Sequence, residues 1–192
     1  MRYSTEYLFP SLLHIIETDV DEQIKPYCLN VRQKDPVGNV LTNMGGWQSQ
    51  SIYEDTLITD SLYKVFKHRN HFTSELKIIN HWININGPGS WNALHEHPQC
   101  DLAGVFYIDV PENSGQIMFE NLPYRNQNIQ KFIKPVKGLI LLFPAHARHA
   151  VLPNESNEDR ISVSFNINLT SQRGILERQK ISHKDPGLSC NQ

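Results

Sequence analysis

Between Leu76 and Leu169 the chain breaks into short runs rich in β-branched and aromatic residues, each closed by turn residues. The runs fall near 76–86, 92–97, 102–110, 115–120, 131–136, 138–144 and 160–169. The punctuation is Asn86-Gly87-Pro88-Gly89, Pro111 to Gly115, Lys137-Gly138 and Pro153 to Asn157. Many short strands at this spacing predict a mainly β sandwich or barrel. The last run, Arg160 to Asn166, has two distinct faces, because successive strand side chains point in opposite directions. Ile161, Val163 and Phe165 share one face; Arg160, Ser162, Ser164 and Asn166 share the other. The polar face either meets solvent or lines a ligand cavity. Alternation alone favours solvent, since antiparallel sheets commonly have one wet side.

The first third of the chain is mixed. Tyr7 to Ile16 reads as an apolar strand broken at Pro10. Asp19 to Val31 has an acidic start and apolar spacing at Ile24, Cys28 and Val31, which predicts a short helix strained in its middle by Pro26. Asn39 to Ser51 reads as a loop around Trp47. Asp60 to Asn70 reads as a helix started by Asp60, with Leu62, Val65 and Phe66 on one face. The tail after Thr170 is polar. A chain of 192 residues is expected to form one domain over 1–192. Its β core would span about 76–169, flanked by a supporting segment 1–75 and a tail 170–192.

Net charge is -2, with no basic block to neutralise phosphates, so nucleic-acid binding is not implied. Cys28, Cys100 and Cys190 form no CxxC pair, which argues for a reducing compartment rather than a disulfide framework. The longest clean apolar run, Leu139 to Phe143, is far short of the ~20 residues of a membrane span, and the N-terminus shows no long apolar leader. The expectation is a soluble, cytoplasmic protein.

Two windows hold histidines with metal-ligand spacing. In Asn92-Ala-Leu-His95-Glu-His97-Pro98, a strand would aim His95 and His97 to one face. Phe143-Pro-Ala-His146-Ala-Arg-His149 could supply a third imidazole from a distant strand. Neutral imidazole suits iron, zinc, copper and nickel. An HxH pair alone is weak evidence, since most histidines are surface or satisfied core groups.

The surrounding pieces give the pair its meaning. They are GGWQS (Gly45 to Ser49), NALHEHP (Asn92 to Pro98), LAGVFYIDVP (Leu102 to Pro111), SGQIMFEN (Ser114 to Asn121), GLILLFP (Gly138 to Pro144), His149 and RISVSFN (Arg160 to Asn166). In order and spacing they resemble the 2-oxoglutarate/Fe(II)-dependent dioxygenase superfamily on its prolyl-hydroxylase side, and more closely a family of 2OG-Fe(II) oxygenases. The resemblance implies a double-stranded β-helix, a jelly-roll or cupin-like barrel with a few flanking N-terminal helices. It implies Fe(II), 2-oxoglutarate as co-substrate, and O2. His95 and His149 match the family's metal histidines. Arg160, eleven residues after His149, matches the arginine that holds the far carboxylate of 2-oxoglutarate. Ser162 and Tyr107 match hydroxyls that contact the same carboxylate, and Asn92 is a weaker co-substrate candidate. A guanidinium fork suits that carboxylate by charge-assisted, two-point bonding.

The sequence departs from the pattern at one position. The usual facial triad is two histidines and a carboxylate, and His97 stands where the carboxylate belongs. Glu96 would face away on a regular strand; Asp101 is the reserve ligand if the chain curls back after Pro98. The implied activity is a hydroxylating dioxygenase whose primary substrate is unknown, with a peptide or protein side chain suggested by the prolyl-hydroxylase likeness. Two rivals share the spacings. One is a cupin-type metalloenzyme without 2-oxoglutarate, holding iron, manganese, nickel or zinc. The other is a non-catalytic metal-binding β-helix. Arg160, Ser162 and Tyr107 discriminate, because only the oxygenase requires them inside the barrel. The Trp47 loop and Trp91 are candidates for the cavity entrance, although a large aromatic such as Trp47 is more often core. His146 has no assigned role.

Overall fold

The structure is a computed structural model that describes residues 11–67, 75–124 and 127–170. Two antiparallel sheets face one another. The larger has the order β1–β9–β6–β11–β4–β3, with β1 His14–Glu17, β3 Trp47–Gln48, β4 Glu75–Asn86, β6 Leu102–Asp109, β9 Leu139–Pro144 and β11 Arg160–Thr170. The smaller has the order β2–β5–β10–β7–β8, with β2 Asn43–Met44, β5 Trp91–His95, β7 Ile117–Tyr124, β8 Gln127–Ile133 and β10 His149–Val151. This is the mainly β, double-stranded β-helix architecture that the sequence predicts.

β11 is an inner strand. It pairs β4 from Arg160↔Asn86 to Thr170↔Glu75, and pairs β6 on its other side, where Ser162 lies opposite Tyr107. Its apolar face joins Ile24 and Cys28 of helix α1 (Ile24–Lys34) and Ile58, Leu62 and Phe66 of helix α2 (Leu57–Lys67) in one core. Its polar face turns toward the smaller sheet and lines a cavity. The solvated-face reading of this strand is therefore wrong: Arg160 is 1% and Ser162 5% exposed. Strands β6 and β9 are apolar on both sides because both sides are covered. Phe106, Ile108, Ile140 and Leu142 join the helical core, while Ala103, Val105, Tyr107, Leu139, Leu141 and Phe143 form a second core between the sheets.

The two helices begin differently, α1 without a side-chain cap and α2 with one. α1 starts at Ile24, later than the acidic stretch suggests, so Pro26 lies in the first turn. There a missing N–H costs nothing, since the first four N–H groups have no intrahelical acceptor. α2 starts before Asp60. The Ile58 N–H donates to Thr56 Oγ1 (3.2 Å) and the Thr56 N–H donates to Thr59 Oγ1 (2.7 Å). That is a reciprocal capping box with Thr in place of the usual Glu or Gln. Asp60 instead sits in the first turn, favourable for the helix dipole.

The stretch 39–51 is more than a loop. β2 pairs β5 and β3 pairs β4, so Asn43 to Gln48 passes from one sheet to the other along one seam of the barrel. Gly45 turns it with a φ of 77°, a conformation that favours glycine. Trp47 is buried, and its Nε1–H donates to the Asp35 carbonyl at 2.9 Å. The predicted strand from Tyr7 is described only from residue 11, and the tail from 171 and the end of the second predicted helix lie outside the described residues. No helix among the described residues is long and apolar enough to cross a membrane.

Candidate metal centre

His95 closes β5 and His149 opens β10, and the two are direct cross-strand partners. Antiparallel partners share a face. The register then slips, placing Asn92 opposite Val151, so three steps on β5 match two on β10. This irregularity is a β-bulge. It lets Asn92 and His95 both line the cavity although an odd spacing would separate them on a regular strand. His97 reaches the site by another route. The predicted strand 92–97 stops at His95, and the His97 N–H donates to the Ala145 carbonyl at 2.9 Å. That bond ties the turn to the chain leading toward His149.

One ligand atom from each of His95, His97 and His149 lies within 4.8 Å of the others. Each Nδ1 has an acceptor. His95 donates to the Ala93 carbonyl (2.7 Å), His149 to the Ala147 carbonyl (2.8 Å) and His97 to Asn166 Oδ1 (2.7 Å). That tautomer leaves every Nε2 with a free lone pair, the arrangement of metal-ligating histidines. The His97 and His149 Nε2 atoms are 3.3 Å apart. Two nitrogens each about 2.1 Å from one ion, at a right angle, would stand about 3.0 Å apart, so the spacing fits a shared divalent ion. Burial holds all three imidazoles below their ordinary pKa, His97 down to about 4 and His149 to about 3, with the neighbouring histidines adding to the effect at these two. They are neutral at pH 7, as ligation requires. Trp82 stacks on His97 (5.5 Å, 22°), and Phe143 meets His149 edge-on (4.7 Å, 63°).

The same cavity, about 230 Å³, carries Arg160, Ser162, Tyr107 and Asn92 on its wall. Arg160 is buried, yet among the described residues none of its hydrogen bonds goes to an acid. Its Nη1 donates to the Ser114 and Gly115 carbonyls, and its Nε–H has no partner among the described residues. Asp159, one candidate surface partner, pairs with Arg32 at 3.2 Å. Burial lowers the Arg160 pKa and nearby Tyr107 raises it. Burial also pushes the Tyr107 phenol up to about 12, against the pull of Arg160, leaving a neutral hydroxyl. Asn92 Oδ1 accepts from Asn86 Nδ2 at 3.2 Å.

Several other candidates lie elsewhere. The Asp101 carboxylate accepts the Leu169 N–H at 2.8 Å and is not in the three-histidine group. Glu96 is exposed at the cavity edge, and His146 is exposed in a separate depression with Glu96, Cys100 and Asp101. Trp47 and Trp91 do not line the cavity; Leu41, Thr42 and Gln48 of the same seam do. Trp82 and Asn84 on β4 are lining residues that the sequence reading passed over. Their register with Ser164 and Ser162 would have revealed them, had the β4–β11 pairing been known.

Fold and cavity together define a double-stranded β-helix protein with a candidate metal centre of three histidines. Residues 80–166 match the sequence profile of the family described as "Putative 2OG-Fe(II) oxygenase", a stretch that contains His95, His97, His149 and Arg160. A Pseudomonas putida prolyl-4-hydroxylase has the same fold (TM-score 0.56, 15% identity, 83% of this chain and 93% of that one). So has a Trichoplax adhaerens prolyl hydroxylase solved with a hypoxia inducible factor peptide fragment (TM-score 0.60, 15% identity, 90% and 87%). A viral collagen prolyl hydroxylase from Paramecium Bursaria Chlorella virus-1, solved as a 2OG complex, aligns likewise (TM-score 0.57, 15% identity, 83% and 96%). An oxidoreductase of the 2OG-Fe(II) oxygenase family from Burkholderia pseudomallei matches a shorter stretch, 55% of this chain and 49% of that one, at 16% identity and TM-score 0.46. A search of curated proteins finds no match. The cofactor set implied by the family is Fe(II), 2-oxoglutarate and O2.

Proposed function

We propose that the protein is a 2-oxoglutarate-dependent Fe(II) dioxygenase that hydroxylates its primary substrate, with His95, His97 and His149 as iron ligands. The observation that carries this reading is Arg160, a buried guanidinium without an acidic partner among the described residues, on the cavity that the three histidines also line. A buried charge calls for a counter-charge. A dicarboxylate spanning the cavity supplies it, and neither a cupin-type centre nor a structural metal site needs Arg160 there. In this reading Arg160 grips the far carboxylate, Ser162 and Tyr107 satisfy its remaining lone pairs as hydroxyl donors, and Asn92 supports the co-substrate from the opposite sheet.

When bound, iron and 2-oxoglutarate supply the oxidative chemistry, consuming O2 and releasing succinate and carbon dioxide as the substrate is hydroxylated. The protein's own residues orient and exclude. The acceptors on Nδ1 fix three ring orientations, and Trp82, Phe119 and Phe143 surround the rings with apolar surface. The cavity is smaller than the ~300–1,000 Å³ of most small-molecule pockets. With the co-substrate in place it admits a projecting group rather than a whole molecule. A peptide or protein side chain fits that limit, and the Trichoplax relative holds a peptide fragment.

The test is anaerobic. Metal-free protein is loaded with Fe(II), then titrated with 2-oxoglutarate while the weak visible charge-transfer band is followed. A saturable band at one equivalent of each is the expected result. Iron binding without the band would move the assignment to a cupin-type enzyme. Failure to bind iron would leave a non-catalytic module.

A further inference from the structure

His95 and His149 are oriented locally, each by the carbonyl two residues before it, Ala93 and Ala147. Those acceptors belong to the backbone and persist whatever side chains surround them. His97 differs. It lies past the end of β5, and its Nδ1 reaches a side chain on the facing sheet, Asn166 Oδ1, at 2.7 Å. Asn166 sits on the polar face of β11, six residues beyond Arg160, and the β11–β4 register shifts directly after it. His97 also occupies the position where related sites use a carboxylate. A carboxylate presents oxygen lone pairs in any protonation pattern relevant here, whereas an imidazole offers Nε2 only when its proton is on Nδ1.

We propose that Asn166 is the positioning residue that makes His97 competent as the third ligand, by holding the proton on Nδ1 and the ring toward the centre. This rests on the three-histidine reading of the site. An amide can turn either its oxygen or its NH2 toward the ring, so it favours the ligating tautomer without enforcing it. Aspartate at this position could only accept and would enforce it. Asn166 touches no reacting atom in this account; it acts through His97.

The experiment measures affinity for Co(II) and Fe(II) in purified full-length protein, with the Co(II) d–d spectrum as reporter of coordination. Asn166→Leu removes the acceptor at similar size, and is expected to weaken binding about 10- to 100-fold, the usual effect of losing such a partner, and to shift the d–d band. Asn166→Asp is expected to bind at least as tightly as wild type. The discriminating pair is Asn166→Leu in a His97→Asp background. A carboxylate ligand has no tautomer to set, so there the same substitution should change affinity by less than about 3-fold.

Equal loss in both backgrounds would mean that Asn166 only supports the fold, and would overturn the proposal. So would wild-type affinity and spectrum in Asn166→Leu. Equal weakening by Leu and Asp would reject the acceptor role even if one variant proved unstable. Should wild type itself bind neither ion, the three-histidine reading fails first, which separates that outcome from failure of the Asn166 assignment.

Discussion

The two ends of the cavity are built on opposite principles. At the histidine end every Nδ1–H has an acceptor, and the free lone pairs converge. At the arginine end the structure stops short. Among the described residues the Arg160 Nε–H and the Ser114 hydroxyl are buried without partners, and no carboxylate pairs with the guanidinium. Neutral groups can be held ready at modest cost, while a buried unpaired charge is costly until a ligand arrives. The first end is preorganised, and in the proposed reading the second is completed by 2-oxoglutarate.

The largest expected effect is at the histidine end. His149→Ala removes one of the three clustered imidazoles, and on the proposed assignment metal affinity should fall at least about 100-fold, consistent with loss of a whole ligand exceeding loss of an outer partner. Isothermal titration with Fe(II) or Co(II) reads it directly. Unchanged affinity would dissolve the metal side of the comparison.

Arg160→Met comes next and tests the other end. Two-point charge-assisted bonding should be worth about 2–3 kcal/mol, so 2-oxoglutarate affinity should fall roughly 30- to 150-fold, with Fe(II) affinity unaltered. The ligand-free variant should lose little melting temperature, because removing a buried charge that has no acidic partner among the described residues offsets the loss of its bonds to the Ser114 and Gly115 carbonyls. Lower stability with undiminished 2-oxoglutarate affinity would show that Arg160 is a structural residue and that the ends do not differ as described.

A pH titration of stability sharpens the same contrast. In the metal-free protein the depressed histidine pKa values mean that the unfolded chain binds protons first as pH falls. Stability from this source is complete above about 6.5. It declines as pH drops toward about 4 for His97 and about 3 for His149. His81, lowered by burial away from the cluster, acts in the same direction. His149→Gln should therefore flatten the slope of melting temperature against pH without abolishing it. A slope identical to wild type would remove His149 from the buried neutral set.

How much of this could be read in the sequence varies with how local each feature is. The histidine spacing, the Arg160–Ser162 pair and the two-faced run from Arg160 are local, and all are visible in the sequence. Which way the polar face of β11 points is not, because it depends on a second sheet packed across it. His97 was placed on a strand that ends at His95; the hydrogen bond to Ala145 that brings it back is a tertiary contact. Pro26 is disruptive only in a helix that starts at Asp19; from Ile24 it lies in the first turn. The Thr56–Thr59 cap went unseen because Thr stands where Glu or Gln is expected. Trp82 and Asn84 become site residues only through the β4–β11 register and the cavity it encloses, whereas Asn166 already stands on the polar face of the run and only its contact with His97 needs the fold.

The smallest of these effects is also the finest probe of the arginine end. Ser162 sits opposite Tyr107 on the neighbouring strand, and both hydroxyls line the cavity beside Arg160. If Arg160 supplies the charge and the hydroxyls only complete the hydrogen bonding, Ser162→Ala should cost about 1 kcal/mol, one ordinary hydrogen bond, or roughly a 5-fold loss of 2-oxoglutarate affinity. Combined with Arg160→Met it should cost less than it does alone, because two groups serving one carboxylate are coupled rather than additive. Strict additivity would place Ser162 outside the carboxylate site, and the arginine end would then consist of Arg160 and Tyr107 alone.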